Sequence, residues 1–149
     1  MHISAVESAG LSTLREGQTV EYETETGPNG GGGAAVNLRL HGGAGVDKLY
    51  GGDDNDQLWG QNGNDKLDGG NGDGTFVFDA NFGNDVINDF EVGIDAIQLN
   101  GVGVLNFDEL LALAKQEGDD TVIDFGDGNS ITLKNVSYDD LKVDNFSFL

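Results

Sequence analysis

No cysteine occurs among the 149 residues, and proline occurs once. The first absence excludes a disulfide framework, a thiolate metal site and a cysteine nucleophile. Basic residues are scarce: seven lysines and arginines stand against 27 aspartates and glutamates, a formal charge of −20. Such a surface repels phosphate backbones and anionic lipid headgroups and attracts cations. No apolar run approaches 18 residues, so no membrane insertion is expected. No basic-then-apolar stretch of the secretory type opens the sequence. What the chain does have is glycine, 25 of them, and a hydrophobic fraction of 37%. The apolar residues recur in pattern, which sets the chain apart from disordered acidic sequences.

The glycines are periodic. From Gly42 the sequence reads GGAGVDKLY, GGDDNDQLW, GQNGNDKLD and GGNGDGTFV, a repeat of nine residues. Written GGxGxDxUx, with U a large apolar residue, the pattern has five fixed slots, and 17 of the 20 offered by four copies are filled. The first slot holds Gly42, Gly51, Gly60 and Gly69; the second holds Gly43, Gly52 and Gly70, with Gln61 departing. The fourth holds Gly45, Gly63 and Gly72, with Asp54 departing. The sixth holds Asp47, Asp56 and Asp65, with Gly74 departing. The eighth holds Leu49, Leu58, Leu67 and Phe76.

Nine residues suffice for one short strand, carrying a single inward side chain, and one glycine turn. Two nonapeptides then complete a coil, and residues 18 apart stack about 4.8 Å from each other. Leu49 and Leu67 would form one wall of a thin core, Leu58 and Phe76 the other. The same register brings Asp47 over Asp65 at one edge. Carboxylates that close do not both stay ionised without a counter-charge. A hard divalent cation meets the need, and calcium accepts six to eight oxygens at about 2.3–2.6 Å. Magnesium demands stricter geometry, and zinc favours Cys or clustered His. The expected ligands are the side chains of Asp47, Asp56 and Asp65, with those of Asp53, Asp54 and Asp73, and backbone carbonyls from Gly42, Gly43, Ala44, Gly45, Gly51, Gly52, Gly60, Gly63, Gly70 and Gly72. Gly74 removes one carboxylate from the edge of Asp56, where Asp73 lies one place off register. Asp85, Asp89 and Asp95 are further candidates. About two or three ions are expected.

This repeat resembles the hemolysin-type, or RTX, calcium-binding nonapeptide. The stretch FVFDANFGNDVINDFEVGIDAIQL from Phe76 is similar to the region that follows such repeats. The resemblance implies a mainly β fold built on a short parallel β-roll. It also implies calcium as cofactor, and export by type I secretion machinery through an uncleaved C-terminal signal. The ending Val143-Asp-Asn-Phe-Ser-Phe-Leu149 is similar to such tails.

Three segments follow: 1–40, the repeats at 41–77, and a β-rich cap at 78–149 with one short helix. In the first, His2–Leu11, Leu14–Tyr22 and Ala35–Leu38 resemble the second half of a bacterial cold-shock domain, a partial OB-like barrel. The family's first strands are absent, and the loop Gly27–Gly33 carries no Lys or Arg, so nucleic-acid binding is not expected. Strands are expected at Thr19–Thr24, Ala35–Leu40, Phe76–Phe78, Asp85–Phe90, Ile94–Leu99, Thr121–Phe125, Ser130–Leu133 and Val143–Leu149. A helix is expected at Asp108–Glu117, capped by Asn106 with Glu109 three residues on and packing through Leu110, Leu111, Leu113 and Ala114. Tyr50 and Trp59 occupy ninth slots and face outward, where cross-strand packing is favoured over a carbohydrate platform. No nucleophile motif surrounds His2 or His41, and no HExxH or Gly-x-Ser-x-Gly occurs. The function expected is a non-enzymatic calcium-binding module that folds outside the cell. The alternatives are a cytoplasmic cold-shock-like protein binding single-stranded nucleic acid, and the detached C-terminal part of a secreted hydrolase or toxin.

Overall fold

A computed structural model describes residues 19–24 and 35–149. The strands are β1 (Thr19–Thr24), β2 (Ala35–Ala44), β3 (Lys48–Tyr50), β4 (Gln57–Asn62), β5 (Lys66–Asp68), β6 (Thr75–Asp79), β7 (Asn84–Ile87) and β8 (Ala96–Asn100). Helix α1 (Phe107–Leu113) leads into β9 (Ala114–Glu117), β10 (Asp120–Gly126) and β11 (Asn129–Leu133). Two single 3₁₀ turns, Tyr138–Asp140 and Val143–Asn145, precede β12 (Phe146–Phe148). They form two sheets of six strands, ordered β1-β2-β4-β6-β8-β12 and β3-β5-β7-β11-β10-β9. The described residues form a parallel β-solenoid of about three turns with one short helix.

The period of nine dictates this topology. One strand of each nonapeptide goes to one sheet and the next to the other, so like strands pair in parallel 18 residues apart. Leu40 lies beside Leu58 and Leu58 beside Phe76; Leu49 lies beside Leu67. The columns continue past the repeats, Phe76 to Ile97 to Phe146 in one sheet and Leu67 to Ile87 to Leu133 in the other. Every member is at most 8% exposed. Each such side chain contributes about 1.5–3 kcal/mol on burial.

The segment boundaries expected at 40/41 and 77/78 fall inside β2 and β6. The nonapeptide pattern stops near residue 77, but both sheets run on through β7, β8, β11 and β12. Ala35–Leu40, placed from sequence at the end of the first segment, is continuous with residues 41–44 in β2, and Leu40 pairs in register with Leu58. β1 pairs antiparallel with β2. The remainder of the cold-shock-like stretch, residues 1–18 and 25–34, lies outside the described residues.

The expected helix is shorter than Asp108–Glu117. Its N-terminus forms as anticipated: Asn106 Oδ1 accepts from the Glu109 N–H at 2.9 Å, and its Nδ2 donates to Glu109 Oε1 at 3.0 Å. At Ala114 the backbone turns extended, and Ala114–Glu117 pairs antiparallel with β10. Leu110 is fully buried, whereas Leu113 is 37% exposed, because the helix ends before its last turn reaches the core. The strands expected at Thr121–Phe125 and Ser130–Leu133 are present as the antiparallel pair β10–β11. The last expected strand is confined to β12, the preceding turn being 3₁₀.

Candidate metal centre

The solenoid has two edges, where glycine turns pass the chain from one sheet to the other. Asp47, Asp65 and Asp85 stand on one edge; Asp56, Gly74 and Asp95 stand on the other. All five aspartates are buried, none more than 5% exposed. Each turn caps its neighbour in the same way. Asp65 Oδ1 accepts from the Asp47 N–H, and Asp85 Oδ1 from the Asp65 N–H, both at 2.8 Å. On the other edge Asp56 Oδ1 accepts from the Leu38 N–H at 2.8 Å and Asp95 Oδ1 from the Gly74 N–H at 2.9 Å. One oxygen of Asp56, Asp65, Asp85 and Asp95 therefore serves the backbone of the preceding turn.

The second oxygen is what distinguishes these aspartates. Oδ2 of Asp56, Asp65 and Asp85 is buried and has no hydrogen-bond partner. A buried carboxylate oxygen without a partner carries a heavy desolvation penalty. Burial is the chief cause that pushes Asp56 and Asp65 up to about 6 and Asp85 up to about 8. The capping N–H of each pulls the other way, and neighbouring negative charge, Asp53 and Asp54 around Asp56 and Asp47 beside Asp65, adds to the rise. Asp95 is also raised by burial to about 6, although the Glu91 and Gly74 N–H groups both hold it.

First-slot glycines make room for these oxygens. A Cβ on Gly60 would stand 2.6 Å from Asp65 Oδ2, and one on Gly51 would stand 2.6 Å from Asp56 Oδ2. Any larger residue would fill the space beside the carboxylate. Fourth-slot glycines let successive turns touch: a Cβ on Gly63, whose φ is +140°, would lie 1.7 Å from the Gly45 carbonyl oxygen. Of the three consensus departures, the two at glycine slots, Gln61 and Asp54, keep the left-handed backbone of the glycines they replace, with φ of 70° and 83°. Neighbouring turns thus hold these positions in the roll's conformation.

Among the described residues no three His, Cys, Asp or Glu side chains converge on a single point. An ion at an edge would therefore need carbonyl oxygens besides the carboxylates. The glycine turns supply them: the carbonyls of Gly45, Gly52, Asp54 and Gly60 each face a glycine of a neighbouring turn, 18 residues away. An all-oxygen set of carboxylates and carbonyls suits calcium. The residues present fit the ion.

The remaining expected ligands divide. Gly42, Gly51 and Gly60 are buried beside the turn aspartates; Gly43, Gly52, Gly63 and Gly70 are half-buried, and Ala44, Gly45 and Gly72 are exposed. Asp53, Asp54 and Asp73 have exposed side chains. Asp73, next to Gly74, keeps its carboxylate at the surface, and its N–H donates to Asn55 Oδ1 at 2.9 Å. That bond belongs to a ladder that sequence reasoning missed. Asn37 Oδ1 accepts from the Asn55 N–H and Asn64 Oδ1 from the Asn84 N–H, so the fifth slot also stitches turns. The excess of Asn in that slot was the available signal. Asp89 spends both oxygens on the Gly69 and Gly70 N–H groups, at 2.9 and 2.7 Å. Trp59 stacks on His41 with centroids 4.5 Å apart, the cross-strand packing favoured for its outward face.

Comparison with known proteins agrees with this geometry. Residues 41–76 match the family model of the RTX calcium-binding nonapeptide repeat, in four copies. Over 73 residues the chain is 38% identical to the endo-1,3-1,4-beta-glycanase EglC of Rhizobium meliloti, covering 49% of this chain and 16% of that protein. Over 64 residues it is 36% identical to the endo-1,3-1,4-beta-glycanase ExsH of the same organism, covering 43% and 14%. The crystal structure of the extracellular lipase LipA from Serratia marcescens superposes with a TM-score of 0.58 at 28% identity, covering 70% of this chain and 20% of the lipase. The match thus spans a fifth or less of each of these longer proteins. Residues 41–76 are RTX repeats, and RTX nonapeptide repeats bind calcium.

Proposed function

We propose that the chain is a non-catalytic calcium-responsive segment of an exported protein, in which the ions complete the fold. The observation that carries this reading is the pair of buried, partnerless Oδ2 atoms of Asp56 and Asp65. In calcium-poor cytoplasm these carboxylates oppose folding. Outside the cell, calcium coordinated by Asp47, Asp56 and Asp65 with turn carbonyls neutralises them and ties each turn to the next. Binding free energy then becomes folding free energy. With free calcium at 100 times Kd each site adds about 2.7 kcal/mol. Extracellular calcium modules commonly have Kd of about 10⁻⁴–10⁻³ M.

An unfolded chain inside and a folded one outside also suits passage through type I secretion machinery, and a structural neighbour is an extracellular lipase. The small share of each glycanase that is matched favours a companion role beside a catalytic domain. Calcium titration by calorimetry, followed by circular dichroism, tests the reading. Saturable binding with a gain of β-signal that chelator reverses is expected. A β-signal indifferent to chelator would remove coupled folding, and an absence of binding heat would remove the whole reading.

A further inference from the structure

The matched repeats end at residue 76, yet the turn geometry repeats once more. Ala80-Asn-Phe-Gly-Asn-Asp-Val-Ile-Asn88 fills three of the five fixed slots, with Gly83 in the fourth, Asp85 in the sixth and Ile87 in the eighth. Two residues, Phe78 and Asp79, separate it from the preceding copy, so it stacks 20 residues after Asp65 and not 18. The inserted pair hides it from a strict period of nine.

The structure treats it as a repeat. Asn81, in the second slot, has φ of 64°, and Gly83 has φ of 90°, the left-handed pattern of Gly43 and Gly45. A Cβ on Gly83 would lie 1.9 Å from the Gly63 carbonyl oxygen, the same close approach that Gly63 makes to Gly45. The Gly63 N–H donates to the Phe82 carbonyl as the Gly45 N–H does to Asn62. The Val86 N–H donates to the Asp65 carbonyl as the Lys66 N–H does to Asp47.

We propose that Ala80–Asn88 is a fifth, cryptic copy of the repeat, and that Asp85 with Asp65 binds a divalent cation, calcium, beyond the matched residues. This rests on the calcium reading above and extends it by one turn. The deciding atom is Asp85 Oδ2, buried and partnerless in a side chain only 1% exposed. Asp95 provides the internal contrast. It follows Gly93 in the same fourth-to-sixth spacing, but the Glu91 N–H donates to its Oδ2 at 2.8 Å and the Gly74 N–H to its Oδ1. A backbone donor stands there where a cation is needed at Asp85. The ligand ladder therefore ends at Asp85 on one edge and does not reach Asp95 on the other.

Native mass spectrometry in calcium, on the full chain and on Asp85→Asn and Asp95→Asn, tests this. The amide introduced by Asp85→Asn keeps an oxygen for the Asp65 N–H and removes the charge. The Asp85 variant is expected to carry one calcium fewer than the parent, and the Asp95 variant the same number. An unchanged count and affinity in Asp85→Asn overturns the proposal while leaving the nonapeptide sites standing. A parent chain that binds no calcium overturns the underlying reading as well. Should Asp85→Asn fail to fold, terbium-soaked crystals of the parent decide: an anomalous peak beside Asp85 Oδ2 supports the site, and its absence there with peaks at the repeats overturns it.

Discussion

Withdrawal of calcium should leave a protein that protons can rescue. Asp56, Asp65 and Asp95 sit at about 6 in the metal-free fold and Asp85 at about 8, against 3.8 for an ordinary aspartate. A group raised in the folded state favours folding most below its unfolded value and loses that contribution as pH rises through its folded value. The loss therefore runs from about pH 4 to about pH 8. A rise of about two units corresponds to about 3 kcal/mol for each of the three, and Asp85 loses at least as much by neutral pH. A domain of this size is stable by about 5–15 kcal/mol in all. Ionising these four aspartates is thus comparable with the whole stability; calcium offsets the cost at Asp56, Asp65 and Asp85, and without it the roll should be unfolded or nearly so at about pH 7.5. Urea denaturation followed by circular dichroism and Trp59 fluorescence, in chelator and in calcium, reads the effect. In chelator the midpoint should climb steadily as pH falls from about 8 to about 5. In calcium the slope should flatten near neutrality and calcium affinity should fall below about pH 6, as protons compete for the same oxygens. A chelated protein more stable at pH 8 than at pH 5 would refute the reasoning, since the buried carboxylates would then be satisfied without cation or proton.

Other substitutions separate packing, turn geometry and charge. Leu58→Ala, between Leu40 and Phe76 in one core column and fully buried, should cost about 2–5 kcal/mol in calcium, read from urea midpoints. Gly63→Ala places a Cβ against the Gly45 carbonyl at a φ of +140° and should lower stability and calcium affinity together, because the turn must open. Asp89→Ala removes the acceptor of the Gly69 and Gly70 N–H groups; a loss of about 3 kcal/mol with an unchanged calcium count is expected. Gly74→Asp restores the missing carboxylate at a buried position whose φ is not left-handed. It should weaken the chelated protein and raise calcium affinity in calorimetry.

The contrast between Asp85 and Asp95 shows where sequence reading stops. The repeat, the two core columns and the stacking of Asp47 on Asp65 follow from a strict period of nine, because each coil uses two identical units. That same strictness hid the continuation of the roll. Two extra residues at Phe78–Asp79 shift the register, and the strands of β7 and β8 then read as a separate cap. Side-chain roles were harder still to see. Asp85, Asp89 and Asp95 look alike in sequence, each an acid near a strand end. What sets Asp85 apart is that no backbone N–H reaches its second oxygen: two reach Asp89, two reach Asp95, and one reaches Asp85. The donors at Asp89 are glycine amides 19 and 20 residues away, and the second donor at Asp95 is set by a tight turn at Glu91. A local pattern cannot count such donors, since most come from another turn. Charge in this chain therefore has two uses that composition merges into a single value of −20. Some carboxylates are already spent on amides and stiffen the roll at any calcium level. Others keep an oxygen in reserve, and only those make the fold answer to the ion.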